Sequence, residues 1–228
     1  MTDAPRLGDL PLFRGLSDVE IGELLGHSGT GKVPPRTQLM SIGQPGDLIY
    51  VLLRGTVRVQ TEQSDGTVVI LGYLGPGDVV GEMGVLESAG RSATVTTTEA
   101  CRYIWFDRSA FRAALETSPR LAFNLMGVLS RRLRLANDRI QSMARNDVAG
   151  RVAHQLLGLA DAFGSEEPDG SVRIELRLTQ TDLADLVGAS REHVNRVLGD
   201  LAGVGLVTAD AKHRFTVHDP EALERRHL

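Results

Sequence analysis

The stretch that leaves this chain least conformational freedom is Leu178–Val207, LTQTDLADLVGASREHVNRVLGDLAGVGLV. Thr179 predicts a helix N-cap, and Asp182 three residues on completes a capping box. Leu183, Leu186 and Val187 give that helix one buried stripe, and Ala184 is small enough for close packing. Gly188 ends it, because a glycine just past a helix adopts left-handed backbone at little cost. Ser190 then caps a second helix whose apolar stripe is Val194, Val197, Leu198 and Leu201. This is the pattern of a helix-turn-helix. The exposed start of its second helix carries Arg191, Glu192, His193, Asn195 and Arg196. Such side chains reach base edges and phosphates when the helix lies in a major groove. The same helix pair also occurs as plain scaffolding.

Charge does not make the choice easier. The 228 residues carry a net charge of −4, and the segment from Asp147 onward holds nine Lys and Arg against fourteen Asp and Glu. Nucleic-acid contact must therefore come from local clusters rather than bulk charge. Three clusters qualify: Arg191 with His193 and Arg196, the trio Lys212-His213-Arg214, and the run Arg131, Arg132, Arg134, Arg139. The last reads best as a solvated helix face. The single cysteine, Cys101, excludes an intrachain disulfide and is too few for an iron–sulfur cluster or a cysteine-rich zinc site; it reads as a core residue. No metal site is expected. No apolar run approaches 18 residues and the N-terminal MTDAPRLGDL lacks a signal-peptide pattern, so we expect a soluble, cytoplasmic protein without membrane contact.

Three regions differ in hydrophobic period. From about Thr37 to Phe106 the chain is punctuated by glycine and built of short apolar runs: Leu48–Leu53, Thr56–Gln60, Thr67–Leu74, Ala93–Thr98 and Cys101–Phe106. Turn signals separate them, such as Gln44-Pro45-Gly46-Asp47 and Gly75-Pro76-Gly77-Asp78. Short strands so spaced predict an antiparallel sandwich or jelly roll, preceded by a helix from Ser17 to Leu25 whose capping box is Ser17 and Glu20. From Arg108 the period turns helical, and Pro119 opens a long helix. There Ala122, Met126, Leu129, Leu133, Ala136, Ile140 and Met143 recur at alternating steps of four and three. That is the seam of a two-helix coiled coil and predicts a parallel homodimer; an amphipathic helix packed on its own domain is the alternative. Asn146–Gly150 reads as a hinge, Arg151–Phe163 as a helix and Gly164–Gly170 as a loop. Leu206–Ala209 and Arg214–His218 can pair as a wing with Lys212 at its tip. The expected division is 1–118, 119–146 and 147–228, in an α+β protein.

Inside the β-rich region lies GDVVGEMGVLESAGRSATV, Gly77–Val95. A turn of small residues opening a short helix presents free backbone N–H groups to an anion. Arg91 can add a bidentate pair to a phosphate, and the Glu82 carboxylate suits a sugar hydroxyl. Alone, a glutamate and an arginine nine positions apart are a common surface pairing.

Gly81-Glu82-Met83-Gly84 followed by Arg91-Ser92-Ala93 resembles the phosphate-binding cassette of cyclic-nucleotide-binding domains. Joined to the seam helix and SREHVNR (190–196), the chain is similar over roughly Leu12–His218 to the cyclic AMP receptor branch of the bacterial CRP/FNR transcription factors. The resemblance implies an N-terminal β-jelly-roll cyclic-nucleotide-binding domain, a coiled-coil dimerisation helix and a C-terminal winged helix-turn-helix. It implies cyclic AMP as effector, Glu82 on the ribose 2′-hydroxyl and Arg91 on the cyclic phosphate, with Gly81, Met83, Ser92 and Ala93 lining the pocket. The family's two adenine-contacting hydroxyl residues fall on Ala136 and Asn137 here. Ala136 cannot hydrogen-bond a base, whereas Asn137 can, which leaves cyclic GMP open as a ligand. Arg191, Glu192 and Arg196 fall on the family's base-contacting positions, and Ser190, Asn195 and Lys212 join them as expected DNA contacts. The implied half-site is TGTGA-like, repeated as a palindrome in double-stranded DNA; DNA bending and contact with RNA polymerase follow from the resemblance only.

Other readings differ at identifiable residues. A regulator of this fold that binds DNA without ligand fits Ala136 but not Glu82 and Arg91. An iron–sulfur sensor lacks the cysteines, and none of the six histidines falls in the cassette or on the seam to suggest haem. A cyclic-nucleotide-binding subunit of a kinase or channel has no use for SREHVNR. An enzyme has least support, since no nucleophile–base pair or metal-ligand spacing is legible.

Overall fold

The computed structural model describes residues 6–87 and 90–225. The chain falls into two compact units: residues up to Thr61 together with Leu71–Arg134, and Glu62–Ile70 together with residues from Leu135 onward.

The first unit is an antiparallel β-roll with helices on one side. Helix α1 (Asp18–Leu25) carries both halves of the Ser17–Glu20 capping box. The strands are β1 (Ser28–Val33), β2 (Gln38–Met40), β3 (Leu48–Arg54), β4 (Val57–Glu62), β5 (Val68–Leu74) and β6 (Val79–Val80). A short helix α2 (Glu82–Leu86) interrupts them before β7 (Thr94–Thr97) and β8 (Cys101–Asp107). Helix α3 (Arg108–Thr117) follows, then α4 (Pro119–Arg145), of which only residues up to Arg134 belong to this unit. Two four-stranded sheets result, in the orders β1-β8-β3-β6 and β2-β7-β4-β5. The strand period of two divides the residues of the first sheet between two cores. Ile49, Val51, Ile104 and Phe106 join Leu12, Phe13, Phe111, Leu121 and Leu125 on the helical side. Leu52, Val80 and Cys101 pack with Met40, Val57 and Val95 inside the roll. Phe13, Phe106 and Phe111 are fully buried, each such ring contributing on the order of 1.5–3 kcal/mol. Burial pushes the Cys101 thiol up to about 11, which keeps it an inert core group.

Strand β1 was not expected, because SGTGKV is poor in strand formers. Gly29 and Gly31 lie directly beneath the rings of Trp105 and Tyr103, their cross-strand partners on β8. An added Cβ would stand 2.4 Å from either ring, so the partner's aromatic side chains supply the packing that the glycines lack.

The second unit contains α5 (Val148–Phe163), β9 (Gly164–Glu166), β10 (Val172–Ile174), α6 (Gln180–Val187), α7 (Arg191–Gly203), β11 (Val207–Ala209), β12 (Phe215–Val217) and α8 (Pro220–Glu224). Its sheet runs β11-β12-β10-β9, so the expected two-stranded wing is half of a four-stranded sheet. Two sequence expectations are corrected. The hinge at Asn146–Gly150 shrinks to Asn146-Asp147, because the Asp147 carboxylate accepts from Gly150 N–H at 2.8 Å and caps α5 three residues earlier than anticipated. The loop Gly164–Gly170 begins with a strand, β9, paired to β10.

Candidate ligand cleft and nucleic-acid interface

A small cleft, open to solvent, is lined by residues of β2, β4, β5, β6, α2, β7 and α4. Val59, Leu74, Val80, Ala93 and Val95 give it apolar walls, while Glu82, Arg91, Ser92 and Arg132 supply polar groups. Gly81, Met83 and Gly84 complete the rim. Six of the seven residues expected at a nucleotide (Gly81, Glu82, Met83, Arg91, Ser92 and Ala93) therefore come together. Asn137 is exposed on α4, outside the residues that line the cleft.

The two charged ends of the cassette are among the most deeply buried polar groups in the described chain, Glu82 at 3% exposure and Arg91 at 6%. The Arg91 guanidinium donates to the carbonyls of Gly81 (3.1 Å) and Leu48 (2.7 Å), which fixes its plane. Burial pulls its pKa down, while the charges of Tyr50, Asp47 and Glu82 hold it up. Gly81 is obligatory for two reasons. Its φ is 90°, and a Cβ there would sit 2.3 Å from an Arg91 nitrogen. The same glycine opens α2, whose first N–H groups have no acceptor inside the helix. Ser92 Oγ donates to Met83 Sδ at 3.5 Å, seating that side chain at the rim.

Arg132 is the residue that sequence reasoning placed wrongly. Its Nη1 donates to Glu82 Oε1 at 2.6 Å and its Nη2 to the Val79 carbonyl, so it completes the cleft rather than a solvated face. Its Nε is buried without a hydrogen-bond acceptor. The nearby Asp78 carboxyl is pushed up by burial, against the pull of the Gly75 N–H and of Arg132. Arg139 also leaves the solvated group: it is half-buried, and burial lowers its pKa. Arg131 and Arg134 remain exposed.

On α4, Leu121, Leu125 and Val128 are buried in the first unit, whereas Met126, Leu133, Ile140 and Met143 are each at least half exposed and Ala136 is exposed. Leu129 packs partly on the first unit's own core. Met143 reaches Gly188, where an added Cβ would lie 3.1 Å from its Cε. Phe123, 69% exposed, extends the apolar surface beyond the heptad positions.

In the second unit the helix-turn-helix forms as its residues require. Thr179 and Asp182 close a capping box, Gly188 takes φ 61°, and Ser190 accepts from His193 N–H. The eight stripe residues Leu183, Ala184, Leu186, Val187, Val194, Val197, Leu198 and Leu201 are all buried. Arg151, unnoticed in the sequence, donates through Nε to the Val187 carbonyl at 2.9 Å and so satisfies the C-terminal end of α6. With the stripe inward, Ser190, Arg191, Glu192, Asn195 and Arg196 are exposed together on α7. Lys212 is exposed in the β11–β12 turn. The Asp210 carboxylate holds that turn, accepting from the N–H groups of Lys212 (2.8 Å) and Arg214 (2.9 Å) and from Arg214 Nε (2.9 Å). Arg214 also reaches Glu175 at 3.1 Å, which removes it from the expected basic trio.

Among the described residues no three His, Cys, Asp or Glu side chains gather as metal ligands, and no helix is long and apolar enough to cross a membrane. The sequence matches the cyclic nucleotide-binding domain family over residues 31–118 and the Crp-like helix-turn-helix domain family over 150–226. It is 35% identical to the CRP-like cAMP-activated global transcriptional regulator of Mycobacterium tuberculosis H37Rv, across 94% of this chain and 95% of that protein. It is 32% identical to the cAMP-activated global transcriptional regulator CRP of Escherichia coli O157:H7, across 86% and 93%. Among solved structures it resembles the c-di-GMP-responsive global regulator CLP of Xanthomonas campestris, with a TM-score of 0.73, 29% identity and coverage of 89% of this chain and all of that one.

Proposed function

The chain belongs to the CRP/FNR family of transcription regulators, and from that membership we propose that it is a cyclic-AMP-responsive homodimer reading palindromic, TGTGA-like promoter DNA. The observation that carries this reading is the pairing of a cleft holding a buried carboxylate and guanidinium with a separate helix whose Arg191, Glu192 and Arg196 are exposed. In the proposal Arg91 neutralises the cyclic phosphate together with the opening N–H groups of α2, Glu82 accepts from the ribose hydroxyl, and Gly81, Met83, Ser92 and Ala93 shape the walls. Asn137 offers an amide to the base. Arg191 and Arg196 pair with guanine edges, Glu192 accepts from cytosine, Asn195 meets a base edge, and Ser190 and Lys212 hold phosphates. Residues 1–118 bind ligand, 119–146 dimerise and 147–228 bind DNA. Met126, Leu133, Ile140 and Met143 leave an apolar stripe that a second copy would cover, with Leu129 and Ala136 completing the seam. The protein acts by binding rather than catalysis, in the cytoplasm, with RNA polymerase as a further partner.

A second reading, DNA binding independent of ligand, is favoured by one observation: Arg132 already engages the Glu82 carboxylate within the chain. Calorimetric titration with cyclic AMP, cyclic GMP and cyclic di-GMP, followed by DNA binding with and without the tightest of them, separates the two. The proposal expects cyclic AMP to bind and to tighten DNA binding. Heat from none of the three, with unchanged DNA affinity, establishes the second reading instead. Sedimentation at micromolar concentration tests assembly, a monomer being the result that removes the homodimer.

A further inference from the structure

On their solvent side helices α6 and α7 share a side-chain bond, Gln180 Nε2 donating to Asn195 Oδ1 at 2.8 Å. Gln180 is the first residue of α6, and Asn195 lies in the second turn of α7 beside Arg196 and one turn beyond Arg191. Helical spacing puts residues 191, 192, 195 and 196 on one face, and all four are exposed. Gln180 and Asn195 also line the concave surface between the helix pair and the wing.

An amide side chain carries two donors on nitrogen and one acceptor oxygen with two lone pairs. The bond between the two amides uses a donor of Gln180 and the oxygen of Asn195. That leaves the Asn195 NH₂ and the Gln180 oxygen unused by the bond, one donor and one acceptor on a linked pair. Adenine shows the complement of that pair in the major groove, the N7 acceptor beside the N6 donor. Guanine shows two acceptors there, cytosine one donor, and thymine an acceptor with a methyl group. An unattached asparagine turns freely and reads whatever it meets; one tied to a second amide has its plane set before DNA arrives, which lowers the ordering cost of binding.

We propose that Gln180 and Asn195 act as a single reader of adenine, specifying one A·T pair in each half-site. This deepens, and rests on, the DNA-reading role given to α7 above. It makes Gln180, on the helix that in this motif crosses the backbone, a determinant of base specificity.

The test uses the full-length protein in saturating cyclic AMP. Binding is measured to a TGTGA-like palindrome in which each adenine in turn is replaced by 7-deazaadenine, lacking the N7 acceptor, or by purine, lacking the N6 amino group. The parent should show one adenine per half-site at which either replacement weakens binding by about tenfold, the scale of one bidentate contact. Gln180→Ala, Gln180→Met and Asn195→Ala should each lose that sensitivity, and the double variant should behave as the singles do. All should keep the guanine preference assigned to Arg196, which also reports that the helix pair is folded. Should the Gln180 variants keep the parent's sensitivity while Asn195→Ala loses it, asparagine reads alone and the joint reader is wrong. Sensitivity unchanged in every variant overturns it as well. A parent that does not distinguish the palindrome from scrambled duplex fails the DNA-reading role itself, and the adenine reader falls with it.

Discussion

The ligand cleft and the α7 face place charge by opposite rules. In the cleft, Arg91 and Glu82 are nearly inaccessible, and each is held by the chain: Arg91 by two carbonyls, Glu82 by Arg132. On α7, Arg191, Glu192 and Arg196 stand in solvent above a fully apolar underside. The difference follows from solvation. A charge withdrawn from water must be partnered before the chain can fold, so the cleft is organised in advance, and in the proposed reading its side chains serve structure and ligand together. A charge left in water needs no partner to fold and is free to exchange water for phosphate or base. Substitution in the cleft should therefore disturb folding and binding at once, whereas substitution on α7 should change recognition alone.

The largest effect expected from this contrast is at Arg91. Arg91→Ala should weaken cyclic AMP binding by about 2–5 kcal/mol, the cost of removing one partner from a desolvated charged pair. It also leaves the Gly81 and Leu48 carbonyls without their donor, costing about 1–3 kcal/mol of stability for each that stays unsatisfied. Arg91→Lys keeps the charge but cannot fork to both carbonyls and should recover little. Calorimetry and thermal melting on the same samples check both halves; unimpaired cyclic AMP binding by Arg91→Ala would falsify the cleft assignment. Arg196→Ala comes next, costing about 1–3 kcal/mol at one base pair per half-site. Its melting temperature should match the parent's, and a clear drop would erase the distinction between the two regions.

How much of this was legible in the sequence depends on where each signal was written. The helix-turn-helix could be read whole, since its caps, its glycine and its apolar stripe are all local to Thr179–Leu201. The cassette could be recognised, and Glu82 and Arg91 do line one cleft, but the position of Arg132 could not be seen. Its partner lies fifty residues away, and on α4 it sits in a run of arginines that looks uniformly polar. Only its place on the helix face of Leu121, Leu125 and Val128 marks it out, and the exposed seam residues drew the eye to another face. Strand β1 was missed for a related reason, because its packing belongs to Trp105 and Tyr103 on the neighbouring strand. The bond between Gln180 and Asn195 likewise spans two helices. In each case the missing information was tertiary.

A smaller effect belongs to the wing. Lys212 is exposed at its turn and is given a phosphate rather than a base, so Lys212→Ala should weaken binding to all sequences alike. The dependence of log affinity on log salt should become shallower by about one. Affinities between 50 and 200 mM salt, an interval of about fourfold, are enough to measure it. A change of base preference would instead put Lys212 among the readers.

The smallest effect, and the one that most sharpens the contrast, is at Asp210. This carboxylate is exposed, yet the Lys212 and Arg214 N–H groups and the Arg214 side chain converge on it and lower its pKa from 3.8 to about 2. The N–H of Arg214 is the leading cause, so geometry rather than burial is responsible. The turn also holds His213 at φ 59°, a backbone conformation that residues other than glycine seldom adopt. A pKa lower in the folded than in the unfolded chain means that the unfolded chain takes up the proton first. The contribution of Asp210 is thus complete above about pH 4 and lost as pH falls through about 2. At neutral pH the turn should be insensitive to small changes of acidity. Asp210→Asn keeps one acceptor oxygen but loses the charge, so the Lys212 and Arg214 amides should exchange faster at pH 7 while the core of the helix-turn-helix stays protected. The Asp210 carboxyl carbon, followed by NMR, should titrate near 2. Titration near 3.8 would mean that the turn is loose in solution, and that Lys212 meets phosphate on a mobile arm rather than from a set position.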